Sequence, residues 1–240
     1  MVYALNRLQS IVWLALFALF ATSVQAQGAA GITVDLPDAR TLSVQRKVEE
    51  LFQRGDFDRA YFIYRNELAP VGDKYAQYMV GFMHMSGMGV DEDPVTASAW
   101  YRLAAERGTP QFVEVRNMLM SDLNEGERQR SDQLFLEIRR QHSDLAILLD
   151  SIRSGLRDMG PTTGSRLSTS SSPLTVIELQ SSAQKRGGAN YYQRVEKKLA
   201  RDLTMLSEIG DFPELETDPA RVDIKEIEQL VNDRLETIQD

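Results

Sequence analysis

The chain has 240 residues, 42% hydrophobic and 26% charged, with a formal net charge of −8. It contains no Cys and only two His, His84 and His142. That excludes disulfides, thiolate metal sites and cysteine nucleophiles, and leaves little material for a histidine metal site or a Ser-His-Asp triad. The negative balance argues against general affinity for nucleic acid or anionic lipid.

Residues 1–26 read as a secretory signal. Arg7 and the amino terminus give a positive start, and Ile11–Ala21 is an unbroken apolar run of 11 residues. That run is too short for about 30 Å of hydrocarbon. Val24-Gln25-Ala26 supplies small residues for cleavage after Ala26. The periplasm is the expected location. Left uncleaved, the segment would anchor the chain in the inner membrane, the one membrane contact expected. Its removal takes away Arg7 and no acid, so −8 becomes −9.

Residues 27–42 are Gly/Ala-rich and read as a leader. Helical patterning then runs from Ser43 to about Arg157. Val44, Val48, Leu51 and Phe52 fall on one helical face. Gly55 stops that helix and Asp56 is the expected N-cap of the next, which carries Ala60, Ile63, Tyr64 and Leu68 and ends before Pro70. A third helix is expected over Lys74 to Ser86, followed by the loop Gly87-Met88-Gly89-Val90. Asp93-Pro94 opens a fourth, with Gly108 just past its end. Another helix follows from Pro110 to Met120. Asn124 with Glu127 resembles a capping box for the next, and Ser143 caps a last one bearing Leu145, Leu148, Leu149, Ile152 and Leu156.

The helices come in pairs joined by short loops, and the pairs resemble one another. Ala60 and Ala97, Tyr64 and Tyr101, and Arg65 and Arg102 are each 37 residues apart, and Gly72 and Gly108 are 36 apart. A helix-pair period of that size is the signature of an α-solenoid, in which each hairpin buries its face on the next. Gly81 lacks a Cβ and allows close helix approach. Gly87 and Gly89 can take the positive φ that a tight loop needs. Ala97, Ala104 and Ala105 leave room at the helix crossing, while Trp100 and Tyr101 fill the space between layers.

The stretch from Val80 to Gly108 resembles a Sel-1-like repeat, a relative of the tetratricopeptide repeat. The matching positions are Gly81, Gly87, Gly89, Val90, Asp93, Ala97, Trp100, Tyr101, Ala104, Ala105 and Gly108. Gly55, Ala60, Tyr64 and Pro70 resemble a looser unit before it, and residues 110–141 a degenerate third pair. The resemblance implies an all-α fold, a short solenoid of antiparallel helix pairs, and a role in holding a protein or peptide. Its first helices would then present Lys74, Gln77, Tyr78 and His84, with Gln111 and Glu114 on the following pair, as partner-binding residues.

Met79, Met83, Met85 and Met88 surround His84, a soft set that could suit Cu(I). Met83 and Met88 fall where the repeat places buried Leu, so the methionines read as core. No metal or cofactor is expected. Asp91, Glu92 and Asp93 are adjacent, but Asp93 is taken as a cap. No nucleophile elbow or phosphate loop appears, and the chain does not read as an enzyme.

Residues 158–190 read as a flexible, disordered linker. Of the 30 residues 161–190, 16 are Ser, Thr, Gly or Pro. The run 174–179 is its one apolar stretch, suited to a short strand or binding segment. Two C-terminal helices are expected within 191–240, one with Tyr191, Val195, Leu199, Leu203 and Leu206 on a face, the other with Ile224, Ile227, Val231, Leu235 and Ile238. Arg194, Lys197, Lys198 and Arg201 make the first of these basic, whereas residues 202–240 hold 12 acids against three bases.

The functional expectation is an exported adaptor or scaffold of the cell envelope. The alternative is a structural envelope protein that forms homo-oligomers through its C-terminal helices. Residues 43–157 are expected to fold alone. Limited proteolysis of the full chain should cut first between Arg166 and Lys185; first cuts inside residues 75–108 would refute the two-part organisation.

Overall fold

A computed structural model of the chain describes residues 39–159, 175–176 and 186–237. The expected signal, most of the leader and most of the linker lie outside these residues. The fold is all-α. The one extended pairing among the described residues is a two-residue antiparallel bridge, β1 (Thr175–Val176) with β2 (Arg186–Gly187). No helix among the described residues is long and apolar enough to cross a membrane.

Helix α1 (Ala39–Gln53) begins inside the stretch read as leader. Gly55 ends it in a left-handed turn, φ 79°. Asp56 occupies the N-cap of α2 (Phe57–Ile63), but its side chain does not cap. It pairs instead with Arg59 at 3.1 Å. Nor does this helix run regularly to Pro70. It widens into a π turn, Tyr64–Leu68, and closes in a 3-10 turn, Ala69–Val71. Pro70 has no N–H to give back along the helix, so the regular ladder cannot continue through it.

The later boundaries follow cap chemistry. Asp73 accepts from the Ala76 amide at 3.0 Å and starts α3 (Lys74–Ser86). Asp93 accepts from the Val95 and Thr96 amides at 3.0 and 3.1 Å and starts α4 (Pro94–Ala104). A 3-10 turn, Ala105–Arg107, then leads to Gly108 at φ 69°. Helix α5 spans Pro110–Asp122. Before α6 (Glu125–His142), the Asn124 amide donates to Glu127 at 2.9 Å, and the Glu127 amide donates to Asn124 at 3.1 Å. The Ser143 hydroxyl accepts from Ala146 at 3.2 Å and starts α7 (Asp144–Met159). Helices α8 (Gly188–Gly210) and α9 (Ile224–Glu236) complete the chain, α8 opening before the expected Tyr191.

The chain divides into two compact units, Met1–Ala69 with Asp73–Ser131, and Pro70–Gly72 with Asp132–Asp240. In the first, α3 and α4 pack antiparallel. Lys74 meets Glu106 at 2.7 Å, and the Tyr78 and Tyr101 rings lie 5.0 Å apart. Gly81 sits against Trp100, and the His84 carbonyl accepts from the Asp93 amide at 2.9 Å. A Cβ on Gly81 would stand 3.2 Å from the Ala97 carbonyl oxygen, so this approach needs a residue of the smallest size. Helices two apart in sequence also touch. Phe52 of α1 lies 6.3 Å from Phe82 of α3, which Tyr78 joins to Phe112 of α5 by a 5.1 Å stack. Arg65 lies 4.8 Å over Trp100 of α4, and Ser98 bonds Ser131 of α6 at 2.6 Å.

The second unit corrects the expected domain division. Helix α7, expected to close the 43–157 domain, falls with the C-terminal helices instead. Its Leu145, Leu148, Leu149 and Ile152 share one core with Leu199, Leu203 and Leu206 of α8 and Ile227, Val231 and Leu235 of α9. The C-terminal helices could have paired with each other, docked on the repeat helices or associated between chains; they pack on α7. An amphipathic stripe shows that a helix needs a partner but not which one. Truncation after Asp158 strips α7 of its cover, at roughly 1.5–3 kcal/mol per large apolar side chain re-exposed. Hydrogen exchange should then show amides 144–158 fully labile in residues 43–158 and protected in the whole chain.

Candidate functional site

Of the six residues expected to line a partner groove, four sit in the core instead. Lys74, Gln77, Tyr78 and His84 are 6%, 0%, 7% and 9% exposed. The reason is the position of α3, which packs against α1, α2, α4 and α5 and has almost no side left for a ligand. Gln111 is half-buried and Glu114 exposed on α5. Half-buried polar positions on α1 and at the start of α3 are others, among them Gln45, Glu49, Asp73 and Tyr75. Their only sequence signal was that Gln45 and Glu49, one helical turn apart, flank the apolar stripe of α1.

Hydrogen bonds hold three of these residues in place. Gln45 donates its side-chain amide to Asp73 at 2.7 Å, and the Tyr64 hydroxyl donates to Glu49 at 3.4 Å. Burial, with Glu49 and Asp73 adding to it, pushes the Tyr64 and Tyr75 hydroxyls far above the usual phenol range. They remain neutral donors throughout the physiological range. Carboxylates beside neutral phenols suit hydrogen bonding to a partner better than acid-base chemistry.

Behind these positions, buried polar side chains take partners from flanking elements. Lys74 is paired with Glu106, and Gln77 donates to the Ala69 carbonyl at 3.1 Å. His84 meets the Tyr61 hydroxyl at 3.0 Å. Burial holds His84 below the usual histidine value, against the pull of Asp93. Burial alone would raise Asp93, but the Thr96 hydroxyl and the amides it caps outweigh that and hold it low. Met79 and Met83 are fully buried, while Met85 and Met88 are half-buried. No three His, Asp or Glu side chains group as metal ligands among the described residues. Ala97, Trp100, Tyr101, Ala104 and Ala105 are all buried.

The second unit holds one constellation that invites a catalytic reading. Lys198 donates to Ser151, and Ser151 donates to Asp202 at 2.6 Å. Lys198 is itself ion-paired with Asp202, and an ammonium committed to a carboxylate is a donor, not the proton acceptor a serine nucleophile needs. The arrangement satisfies Asp202, which is 4% exposed.

No protein-family model, no curated protein and no solved structure matches this chain. The Sel-1-like resemblance rests on the residues quoted for it.

The loop positions differ sharply in what they tolerate. Gly89, at φ 72°, lies so close to α2 that a Cβ would stand 2.4 Å from the Phe57 carbonyl oxygen. Gly108, at φ 69°, has nothing within 4 Å. Gly108→Ala should cost only the left-handed penalty, about 1–2 kcal/mol. Gly89→Ala should cost more than about 3 kcal/mol, because backbone must move as well. Chemical denaturation of the two variants checks the order.

Proposed function

We propose that this protein is an exported helical-repeat adaptor of the cell envelope, which holds a protein or peptide partner on the first helices of its pairs. One observation carries the reading: alternate helices touch through residues 28 to 35 positions apart, namely Gln45 and Asp73, Phe52 and Phe82, Ser98 and Ser131, Tyr78 and Phe112, Arg65 and Trp100. Those offsets lie close to the 36–37-residue spacing in the sequence. Hairpins stacked in this way make a short α-solenoid, whose first helices form a continuous surface. On that surface the partner would meet Gln45, Glu49 and Tyr75, then Gln111 and Glu114. Rigid aromatic hydroxyls and fixed carboxylates give directional contacts at small entropic cost.

Self-association through the C-terminal helices is the weaker reading. Leu199, Leu203, Leu206, Ile227, Val231 and Leu235 are already buried within one chain. Those apolar faces are spent.

A photo-crosslinking amino acid placed at Tyr75 or Glu114 of the full chain, expressed in cells, tests the proposal. Both positions should give one common heterologous adduct, and the exposed controls Arg54 and Arg59 should give none. Adducts of twice the chain's own mass, arising only from positions in α8 or α9, would move the reading to self-association. Mass spectrometry of the exported product should find Gln27 at its amino terminus.

A further inference from the structure

Helix α8 changes character halfway along. Residues 188–201 hold four cations, Arg194, Lys197, Lys198 and Arg201, against one acid, Glu196. The cations are spaced i, i+3, i+4, i+7, so they share one side of the helix. All four are exposed. Leu199, Leu203 and Leu206 take the other side and are buried in the core with α7 and α9.

Within the helix this face is unfavourable. Its members are like-charged neighbours one turn apart, and like charges at that spacing destabilise a helix. The acidic end of the chain has cations of its own. Glu228 meets Arg153 of α7, Glu236 meets Arg140 of α6, and Glu216 and Asp218 meet Arg221. Lys198 and Arg201 turn instead to Asp202, a buried carboxylate of their own helix. Even with Asp202 and with Glu196 on the flank, four cations stand against two acids. Helix α8 meets α7 through Ser151 and Gly155, whereas α9 meets it through Arg153. Residues two apart on a helix point to different sides, so the acids paired at Arg153 lie on a different side of α7. Nearer to α8 is Asp158, which accepts from the Tyr191 hydroxyl at 3.3 Å. From Arg194 to Arg201 the face is about 10 Å long and convex, the outside of a single helix. A convex face gives a peptide no groove to lie in, whereas a plane of phosphates can meet all its cations at once.

We propose that this face of α8 docks on an anionic lipid surface, its cations set among the headgroup phosphates while the leucines opposite stay in the core. The chain's negative total confines the contact to this face and makes it give way to salt. The inference stands apart from the adaptor reading, whose partner surface lies on α1, α3 and α5.

Vesicle flotation tests it, on the chain from Gln27 onward, which keeps every described residue and drops the apolar run at 11–21 that would enter any bilayer. Vesicles of phosphatidylglycerol and phosphatidylcholine in equal parts should carry the protein, and phosphatidylcholine alone should not. Raising the salt from about 0.05 M to about 0.5 M should release it. A Lys or Arg near an anionic surface is worth roughly fivefold in binding, so R194Q, K197Q and R201Q together should weaken capture by about a hundredfold. The same loss of charge on α1, through R46Q, K47Q and R54Q, should leave capture within about twofold. No capture by the anionic vesicles, equal capture by phosphatidylcholine, or an equal loss in the α1 variant overturns the proposal. Binding of poly-glutamate, or formation of a dimer, without vesicle capture also overturns it and gives the face to an acidic protein or to a second copy. Should the triple α8 variant fail to fold, Lys197→Glu decides. Reversing that one exposed charge should weaken capture by about 25-fold, and an unchanged capture refutes the proposal.

Discussion

The first unit depends on one helix having almost no exposed face. From Lys74 to His84 every residue of α3 except Tyr75 is buried. A helix can be enclosed in this way only if its neighbours approach closely and its polar groups find partners. Gly81 meets the first condition, since any side chain there would press on the α4 backbone and on Trp100. Partners supplied by flanking elements meet the second: Glu106 for Lys74, the Ala69 carbonyl for Gln77, and Tyr61 for His84.

The π turn in the second helix belongs to the same arrangement. Tyr64 and Arg65 are consecutive, yet Tyr64 reaches Glu49 on α1 while Arg65 covers Trp100 on α4. The widened turn Tyr64–Leu68 lets both be placed while Leu68 and Ala69 stay buried. One short segment thus bonds to its own hairpin and to the next.

Charge organises the second unit. Residues 202–240 are rich in acids and poor in bases, so cations must come from elsewhere in the chain. Arg153 of α7 bonds Glu228 at 2.8 Å, and Arg140 of α6 reaches Glu236 at 3.7 Å. Arg139 donates to the Thr237 carbonyl at 2.7 Å, just past the end of α9, where a cation also complements the helix dipole. Arg234 does the same for α8 by donating to the Gly210 carbonyl at 2.6 Å. The pairing of α7 with the C-terminal helices is therefore electrostatic as well as apolar. Exposed pairs contribute little singly and are screened by salt, so the leucine-rich core supplies most of the cohesion.

Sequence determined the elements, because caps, glycines and apolar stripes act within one or two turns of chain. Asp73, Asp93, Asn124 with Glu127, and Ser143 open helices by bonds to amides two or three residues away. Gly55, Gly87 and Gly108 take the left-handed turns that follow helix ends. Asp56 shows the limit of this local logic: the right residue type at the right position turned to Arg59 instead. The tertiary structure decided which faces are covered, and two outcomes were not legible beforehand. Lys74, Gln77, Tyr78 and His84 are polar and read as a surface, but α3 is enclosed by its neighbours and their partners lie 8 to 32 residues away, or were not identifiable from pattern. The stripe of α7 matches either neighbouring unit equally well in periodicity. Its assignment to α8 and α9 rests on side-chain fit, such as Leu199 lying 3.3 Å from where a Cβ on Gly155 would be, and on ion pairs as far as 75 residues apart in the chain. Local chemistry sets where helices start and stop; enclosure and long-range pairing set what they show to a partner.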